Sequence, residues 1–203
     1  MNRRSPDSDE VNPTRRNRKK TNLYDQDIFY EIRISLSDAY FGANVELDFF
    51  RFVECNFCGG TGFAYSASCN HCVPHGYVGC LRTEQTRTLK IPRGVDTGTR
   101  LRFRGAGNVG QKGELAGDLY VSINLSPHQV YKREGVDLFR ELFVPSSVAA
   151  QGGEVSFAHL SGKRLRLLVP KGSERKQLRL RGEGMPTLNG NGAFGDLYVN
   201  LIS

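Results

Sequence analysis

The sequence predicts a mostly β protein with two tandem, similar β-sandwich-like domains. Each domain has one short helix, and the first also carries a small inserted four-cysteine module. Three observations predict this fold: the pentapeptide GDLYV occurs twice, the segments around it recur in the same order, and all five cysteines lie in a stretch that only the first copy contains. The 23 glycines among 203 residues indicate many turns, as expected for a protein built from short strands.

The C-terminal part of each copy repeats at a nearly constant offset, called here the shorter offset. GDLYV begins at Gly117 and again at Gly195, and LRFRGAG from Leu101 matches LRLRGEG from Leu178. Apolar and basic residues alternate in LRFRG and LRLRG, which is typical of a half-buried strand. Each copy is therefore predicted to contain two strands separated by a turn, then a glycine-rich loop and a third strand.

The N-terminal part of each copy repeats at a longer offset. DIFYEIRISLSDAYFG from Asp27 matches DLFRELFVPSSVAAQG from Asp137. A polar start, a short apolar stretch and a closing glycine, Gly42 or Gly152, predict a brief helix between two strands. Because the offset shortens between the two parts, the first copy holds an insert that the second lacks.

These offsets divide the chain into three predicted regions. Residues 1–25 form a basic tail whose charge and scarcity of apolar residues predict disorder, with weak binding to acidic surfaces or nucleic acid left open. Residues 26–126 form the first β-domain, with the inserted module at 53–82. Residues 127–203 form the second β-domain.

The inserted module contains two CxxC pairs, Cys55 with Cys58 and Cys69 with Cys72. Four thiolates at this spacing predict a closed tetrahedral site, which is typical of structural zinc and leaves no position for an activated water. Disulfides would require an oxidising compartment, and a metal-free module is the other alternative. The fifth thiol, Cys80, is expected to be a small, half-buried residue rather than a ligand.

The chain has no apolar run of about 18 residues and no apolar segment near its N-terminus, so we expect neither a membrane span nor a secretory signal. An odd number of cysteines, four of them in CxxC pairs, favours metal ligation in a reducing compartment. A cytoplasmic location is therefore predicted.

The motifs occur in an order that resembles a known family. CxxCxGxG-type knuckles are followed by IPRGVDTGTRLRFRGAGNVG, AGDLYVSINLSPHQVYKREGVDLF, GGEV and LRLRGEGMP. This order resembles the C-terminal, client-binding region of DnaJ-type (J-domain) chaperones of the zinc-finger class, over about residues 26–203. The resemblance implies a non-enzymatic chaperone that binds unfolded or partly folded polypeptides, assists folding and prevents aggregation.

The sequence departs from the family pattern in five ways. Two knuckles replace the usual four, which implies one structural Zn²⁺, and Pro74 stands where the family has a glycine. No His-Pro-Asp tripeptide of a J-domain is present, so cooperation with an ATP-driven heat-shock chaperone would need a J-domain on another chain. The Gly/Phe-rich linker is missing. The family's dimerisation segment is also missing, which implies a monomer or weak dimer.

The resemblance also implies a shallow apolar groove on the first β-domain, where an extended client joins the edge of the sheet. The matching client-binding positions are Ile28, Leu47, Phe49 and Val121. Another groove position, apolar in some relatives, is Arg87 here, and we expect it to narrow the groove or favour acidic clients.

Two other functional classes are weighed against a chaperone. A zinc-ribbon nucleic-acid-binding protein should have basic residues among the aromatic residues of its module, yet none occurs between Arg51 and Arg82. A thiol oxidoreductase should place its CxxC pair in a thioredoxin-like βαβ pattern, which is absent around these cysteines. Both classes are therefore disfavoured, and no catalytic residues are predicted.

Overall fold

The computed structural model describes residues 26–75, 78–109, 115–173, 176–188 and 192–202, so the tail predicted at 1–25 lies outside the described residues. The first repeat contains β1 (Ile28–Ile34), α1 (Leu36–Phe41), β2 (Ala43–Glu54), β3 (Phe63–Ala64), β4 (Ala67–Ser68), a turn of 3₁₀ helix (Val73–His75), β5 (Cys80–Ile91), β6 (Arg100–Phe103) and β7 (Leu119–Leu125). The second contains β8 (Tyr131–Glu134), β9 (Asp137–Phe143), α2 (Ser146–Gln151), β10 (Gly153–Ala158), β11 (Arg164–Val169), β12 (Gln177–Leu180) and β13 (Leu197–Ile202).

The predicted fold class is confirmed: the chain is mostly β, with a short helix in each of two similar repeats. The repeats agree in register as well as in element order. Strand β1 pairs in parallel with β7, so that Ile28 faces Leu119, and β9 pairs in parallel with β13, so that Leu138 faces Leu197. Both offsets between the sequence copies, the longer and the shorter, are therefore preserved in the strand pairing.

Outside the cysteine module, each repeat consists of a sheet and a two-stranded ribbon. The first sheet has the order β1-β7-β6 and its ribbon is β2-β5, while the second sheet has the order β12-β13-β9-β8 and its ribbon is β10-β11. The second sheet is larger because β8 covers the outer edge of β9. Among the described residues, no strand covers the corresponding edge of β1.

The repeated GDLYV can be explained residue by residue. A Cβ at Gly117 would overlap the carbonyl group of Gln26, so the backbones approach too closely there for any other residue. Leu119 and Val121 are buried in the core, and between them Tyr120 points to solvent. The second copy repeats this arrangement, with Gly195 against Val136 and with Leu197 and Val199 buried.

The tyrosine of each GDLYV belongs to a half-exposed stack on the solvent face of its sheet. The Tyr120 ring stacks on Phe29 at a centroid distance of 5.2 Å, and the Arg102 guanidinium lies 5.8 Å from the Tyr120 ring centroid. In the second repeat, the corresponding residues are Phe139, Tyr198 and Arg179.

The aspartate of each GDLYV fixes a glycine turn and an arginine. Asp118 Oδ1 accepts a hydrogen bond from the Gly105 N–H at 2.8 Å, and Oδ2 accepts one from Arg102 Nε at 2.6 Å. Asp196 makes the same two bonds to Gly182 and Arg179. In both repeats these donors hold the pKa of the carboxyl group below its usual value.

A pH dependence of stability follows from these two carboxylates. Because their folded-state pKa values lie below the unfolded value of about 3.9, the stability that they contribute is present above that pH. It is lost as the pH falls through the folded-state values. We expect Asp118→Asn combined with Asp196→Asn to lower the free energy of unfolding at neutral pH and to flatten its decline in acid, as measured by urea unfolding. Asp48→Asn, which removes an exposed carboxylate that accepts a hydrogen bond from the Thr86 hydroxyl, is the comparison variant for loss of a surface charge.

A buried arginine joins the two repeats. The side chain of Arg133, on β8, is 8% exposed and donates hydrogen bonds to the carbonyl oxygens of Val95 at 2.5 Å, Gly94 at 3.2 Å and Gly135 at 2.7 Å. It also forms an ion pair with Asp96 at 3.4 Å. Two of these carbonyls belong to the segment after β5, so a side chain of the second repeat is hydrogen-bonded to the main chain of the first.

Gly94 shows how closely the repeats approach each other. Its φ is +86°, and a Cβ there would lie 2.6 Å from the Pro186 carbonyl oxygen and 2.7 Å from the Leu188 nitrogen. Its N–H donates to the carbonyl of Ala39 in α1 at 2.7 Å. Residue 94 is therefore clamped between elements of both repeats. No helix in the described parts of the chain is long and apolar enough to cross a membrane.

Candidate metal centre and client-binding edge

The cysteine module begins and ends at one tip of the β2-β5 ribbon. The two strands pair along their whole length, from Ala43 opposite Ile91 to Glu54 opposite Cys80. Cys55 therefore follows the last residue of β2 directly, and the ribbon fixes where the module starts and where it returns.

The four CxxC cysteines converge on one point. Their Sγ atoms all lie within 4.8 Å of one another, with Cys55 4.0 Å from Cys69 and Cys58 3.9 Å from Cys72. A tetrahedral zinc with Zn–S bonds of about 2.3 Å requires sulfur atoms about 3.8 Å apart. The four thiols therefore fit a single metal ion of that size and could hold it.

Main-chain donors support two of the sulfurs. The Gly62 N–H donates to Cys58 Sγ at 3.3 Å, and the Gly79 N–H donates to Cys72 Sγ at 3.4 Å. Burial opposes ionisation of Cys58, yet the Gly62 N–H and the neighbouring thiols outweigh it and lower its pKa to about 7. For Cys72, burial dominates and raises the pKa to about 12.

The other polar side chains near the module do not join the cluster. Cys80 is half-buried and lies outside the four-sulfur group, and burial, with the nearby Cys55 and Cys58 thiols, raises its pKa. The His71 ring stacks on Phe57 at a centroid distance of 4.2 Å. The candidate ligand set is thus the four cysteines predicted from the sequence.

Comparison with known sequences places the whole described fold in one family. The sequence model described as "DnaJ C terminal domain" matches residues 28–202. The chain belongs to the DnaJ C-terminal domain family. The match begins at the first residue of β1 and ends at the last residue of β13, so both repeats and the cysteine module are parts of a DnaJ C-terminal domain.

Curated DnaJ proteins resemble the chain over most of its length. It is 36% identical to "Chaperone protein DnaJ" from Jannaschia sp. (strain CCS1), over 87% of this chain and 55% of that protein. It is 40% identical to "Chaperone protein DnaJ" from Sinorhizobium fredii (strain NBRC 101917 / NGR234), over 72% of this chain and 38% of that protein. The chain spans about half the length, or less, of these relatives.

The predicted client-binding residues of this DnaJ C-terminal domain are buried. Exposure is 2% for Ile28, 6% for Leu47, 1% for Phe49 and 0% for Val121. All four pack in the main hydrophobic core, between the first sheet and its ribbon. They form the apolar layer beneath the surface rather than the wall of an open groove, and their contact with clients stays a prediction.

Two arginines lie at the margin of this apolar layer. Arg87 stands directly opposite Leu47 in the ribbon, on the same face, and its guanidinium lies 5.0 Å from the centroid of the Phe103 ring. Arg51 donates to the carbonyl of Gly105 at 3.2 Å, and burial and the nearby Arg87 charge lower its pKa. Arg87 is itself exposed.

The outer edge of β2 is closed near the module. The Phe50 N–H donates to the Tyr30 hydroxyl at 3.2 Å, and the Phe52 N–H donates to Asn108 Oδ1 at 2.9 Å. The Phe52 carbonyl accepts from the Val109 N–H at 2.8 Å. These bonds show that the even-numbered residues of β2 direct their main-chain groups away from β5.

The same edge is open nearer the start of β2. Backbone direction alternates along a strand, so the N–H and C=O groups of Asn44, Glu46 and Asp48 also point away from β5. Within the described residues, none of these groups has a hydrogen-bond partner. The three side chains are exposed, so another strand can reach this edge.

Proposed function

We propose that the chain is a chaperone that holds unfolded or partly folded polypeptides without ATP, and that the client adds a strand to β2. The open edge at residues 44–48 is the observation that carries this proposal. The names of the DnaJ relatives support the chaperone role. Added strands gain main-chain hydrogen bonds whatever their side chains, which suits a protein that receives many different clients.

The preference for apolar client side chains would come from the residues beneath this edge. We propose that Ile28, Leu47, Phe49 and Val121 provide the apolar layer that client side chains reach when the Arg87 side chain moves aside. The positions of Leu47 and Phe49 on β2 support this role, because both lie on the strand that offers the open edge. Arg87 would then control access to the layer.

A proline on β2 tests the proposed edge. Glu46→Pro removes an outward N–H and places a ring where the client strand would lie, while the bonds from β2 to β5 remain. We expect the variant to lose most of its ability to suppress aggregation of a denatured client, as measured by light scattering. Ser156→Pro, at the matched position on β10, should retain that ability.

A second measurement keeps this test decisive if the proline perturbs the ribbon. Client binding to the unmodified chain should slow hydrogen exchange at the amides of Glu46 and Asp48 but not at Ser156. Full suppression by a folded Glu46→Pro variant, or client protection confined to residues away from β2, would contradict the proposed edge.

We propose one structural Zn²⁺ at Cys55, Cys58, Cys69 and Cys72, a cytoplasmic location, and domains at 26–126 and 127–203. Cooperation with an ATP-driven heat-shock chaperone would use a J-domain on another chain, and the function would be binding rather than catalysis. The zinc-ribbon nucleic-acid alternative is not favoured, because the module lacks Lys and Arg between Arg51 and Arg82.

A further inference from the structure

The outer edge of β1 is a second open strand edge, on the other layer of the first repeat. The Ile28 N–H donates to the Asp118 carbonyl at 2.8 Å, and the Ile34 carbonyl accepts from the Ser126 N–H at 2.9 Å. In a parallel pair, alternate residues bond to the same neighbour. The even-numbered residues of β1 therefore direct their main-chain groups toward β7, and the odd-numbered residues direct theirs outward.

Three residues make up this edge: Phe29, Glu31 and Arg33. Within the described parts of the chain, their main-chain N–H and C=O groups have no hydrogen-bond partner, and their side chains are exposed on the solvent face. The Asn124 amide donates to Glu31 Oε1, which holds the carboxylate on that face. The edge therefore offers main-chain groups together with one negative and one positive side chain.

The second repeat shows how far an added strand extends in this fold. Strand β8 pairs with β9 only from Asp137 to Arg140. At the longer offset, which matches Asp27 to Asp137, that pairing would end at Tyr30 in the first repeat. Glu31 and Arg33 would stay open even if a strand like β8 lay beside the start of β1.

The two charges are complementary to a second copy of the same edge. If two β1 strands pair antiparallel about Ile32, Glu31 of each copy stands opposite Arg33 of the other. Both residues point outward, so each of these two pairs exchanges two main-chain hydrogen bonds, and opposite charges face each other across the strands. Pairing about Glu31 instead would place the Glu31 residues of the two copies opposite each other, so of these two registers the charges favour the one about Ile32.

We propose that two copies of this chain associate through β1 in that register and form one continuous sheet, β6-β7-β1-β1-β7-β6. The contact is self-complementary about a two-fold axis, so it closes at a dimer. The second repeat lacks this complementarity, because the residues matching Glu31 and Arg33 are Glu141 and Phe143. Each chain therefore has one such contact.

Charge reversal tests the register directly. The mass of the full chain, measured by sedimentation equilibrium, should rise from 22.6 kDa toward twice that value as concentration increases. Glu31→Arg places two arginine pairs across the contact and Arg33→Glu places two glutamate pairs. Each variant should weaken dimerisation at least about tenfold, which corresponds to about 1.4 kcal/mol.

Two further measurements test whether pairing of opposite charges restores dimerisation. An equimolar mixture of the Glu31→Arg and Arg33→Glu chains should form a heterodimer, because every cross-strand pair then has opposite charges. The chain carrying both reversals should dimerise like the original. Glu141→Arg, at the matched exposed position on β9, should change nothing.

Several outcomes would overturn the proposal. A chain that stays at 22.6 kDa up to millimolar concentration does not form this dimer. Dimerisation that is unaffected by either reversal, that Glu141→Arg weakens equally, or that the mixture fails to restore takes place through another surface. Because all the variants alter exposed side chains, loss of folding should not obscure the comparison.

Discussion

Replacing Cys69 with serine is expected to abolish stoichiometric zinc binding and to disorder the module, while both repeats remain folded. Cys69 is fully buried and lies 4.0 Å from Cys55, so the variant loses one of four converging ligands. The free energy of zinc binding by structural sites, about 10–16 kcal/mol in small zinc-finger peptides, is also folding free energy for the segment that it orders. Metal content by mass spectrometry should fall from one zinc per chain to near zero.

The fifth cysteine provides the control for this prediction. Cys80→Ser should retain one zinc, because Cys80 lies outside the four-sulfur cluster. Limited proteolysis should cut the Cys69→Ser variant between Glu54 and Cys80, and the far-ultraviolet circular dichroism of the repeats should change little. Zinc at full stoichiometry in Cys69→Ser, or its loss in Cys80→Ser, would show that the ligand set differs from the one assigned here.

Replacing Arg133 with methionine should lower the free energy of unfolding by about 2–4 kcal/mol. The substitution leaves the Gly94 and Val95 carbonyls without their charged donor, and hydrogen bonds to charged groups contribute about 1.5–3 kcal/mol each. The Asp96 pair adds little, because its carboxylate is half-exposed. Urea unfolding monitored by circular dichroism measures the change, which we expect as a lower midpoint and as earlier exposure of the segment after β5.

The neighbouring residue Lys132 offers a matched comparison on the same strand. Its ion pair with Glu134 is exposed, so Lys132→Met should cost less than about 1 kcal/mol. An equal loss in the two variants would mean that Arg133 acts only as a surface charge. Unchanged stability of Arg133→Met would mean that the repeats are held together mainly by apolar packing.

The repeated motifs predicted much of the fold. The two offsets between the copies predicted the duplication that the structure shows, in which β1 pairs with β7 and β9 pairs with β13 in matching registers. They did not predict which strands pair within each repeat. Spacing also predicted the four-cysteine cluster, because each CxxC turn brings two thiols together and the two turns are close in the chain. The duplication and the cysteine cluster both depend on local sequence patterns.

Contacts between distant elements were not predictable from the same patterns. Alternation along β2 places Leu47 and Phe49 on one face, but it does not reveal that this face is fully covered. Nothing near Arg133 in the sequence points to the carbonyls of residues 94 and 95. His159 is also buried, with its ring bonded to Ser161 and to the Glu183 carbonyl, although no motif marks it.

Closure of half of the β2 edge was not predictable from the sequence, because it also depends on contacts between distant elements. Tyr30 and Asn108 reach that edge from a strand and a loop of the other layer, and such contacts depend on how the layers stack. The charge pattern of Glu31 and Arg33 was visible in the sequence, but its meaning required the direction of each main-chain group. Only the hydrogen bonds of β1 give that direction.

The position of the cysteine module at a ribbon tip bears on how such a protein can change over evolutionary time. The entropy of closing a loop grows only with the logarithm of its length, and each doubling costs about 0.6 kcal/mol. The pairing of β2 with β5 ends at Glu54 and Cys80, so it does not involve the residues of the excursion between them. CxxC knuckles can therefore be gained or lost as units at that tip with little change in the stability of the two repeats.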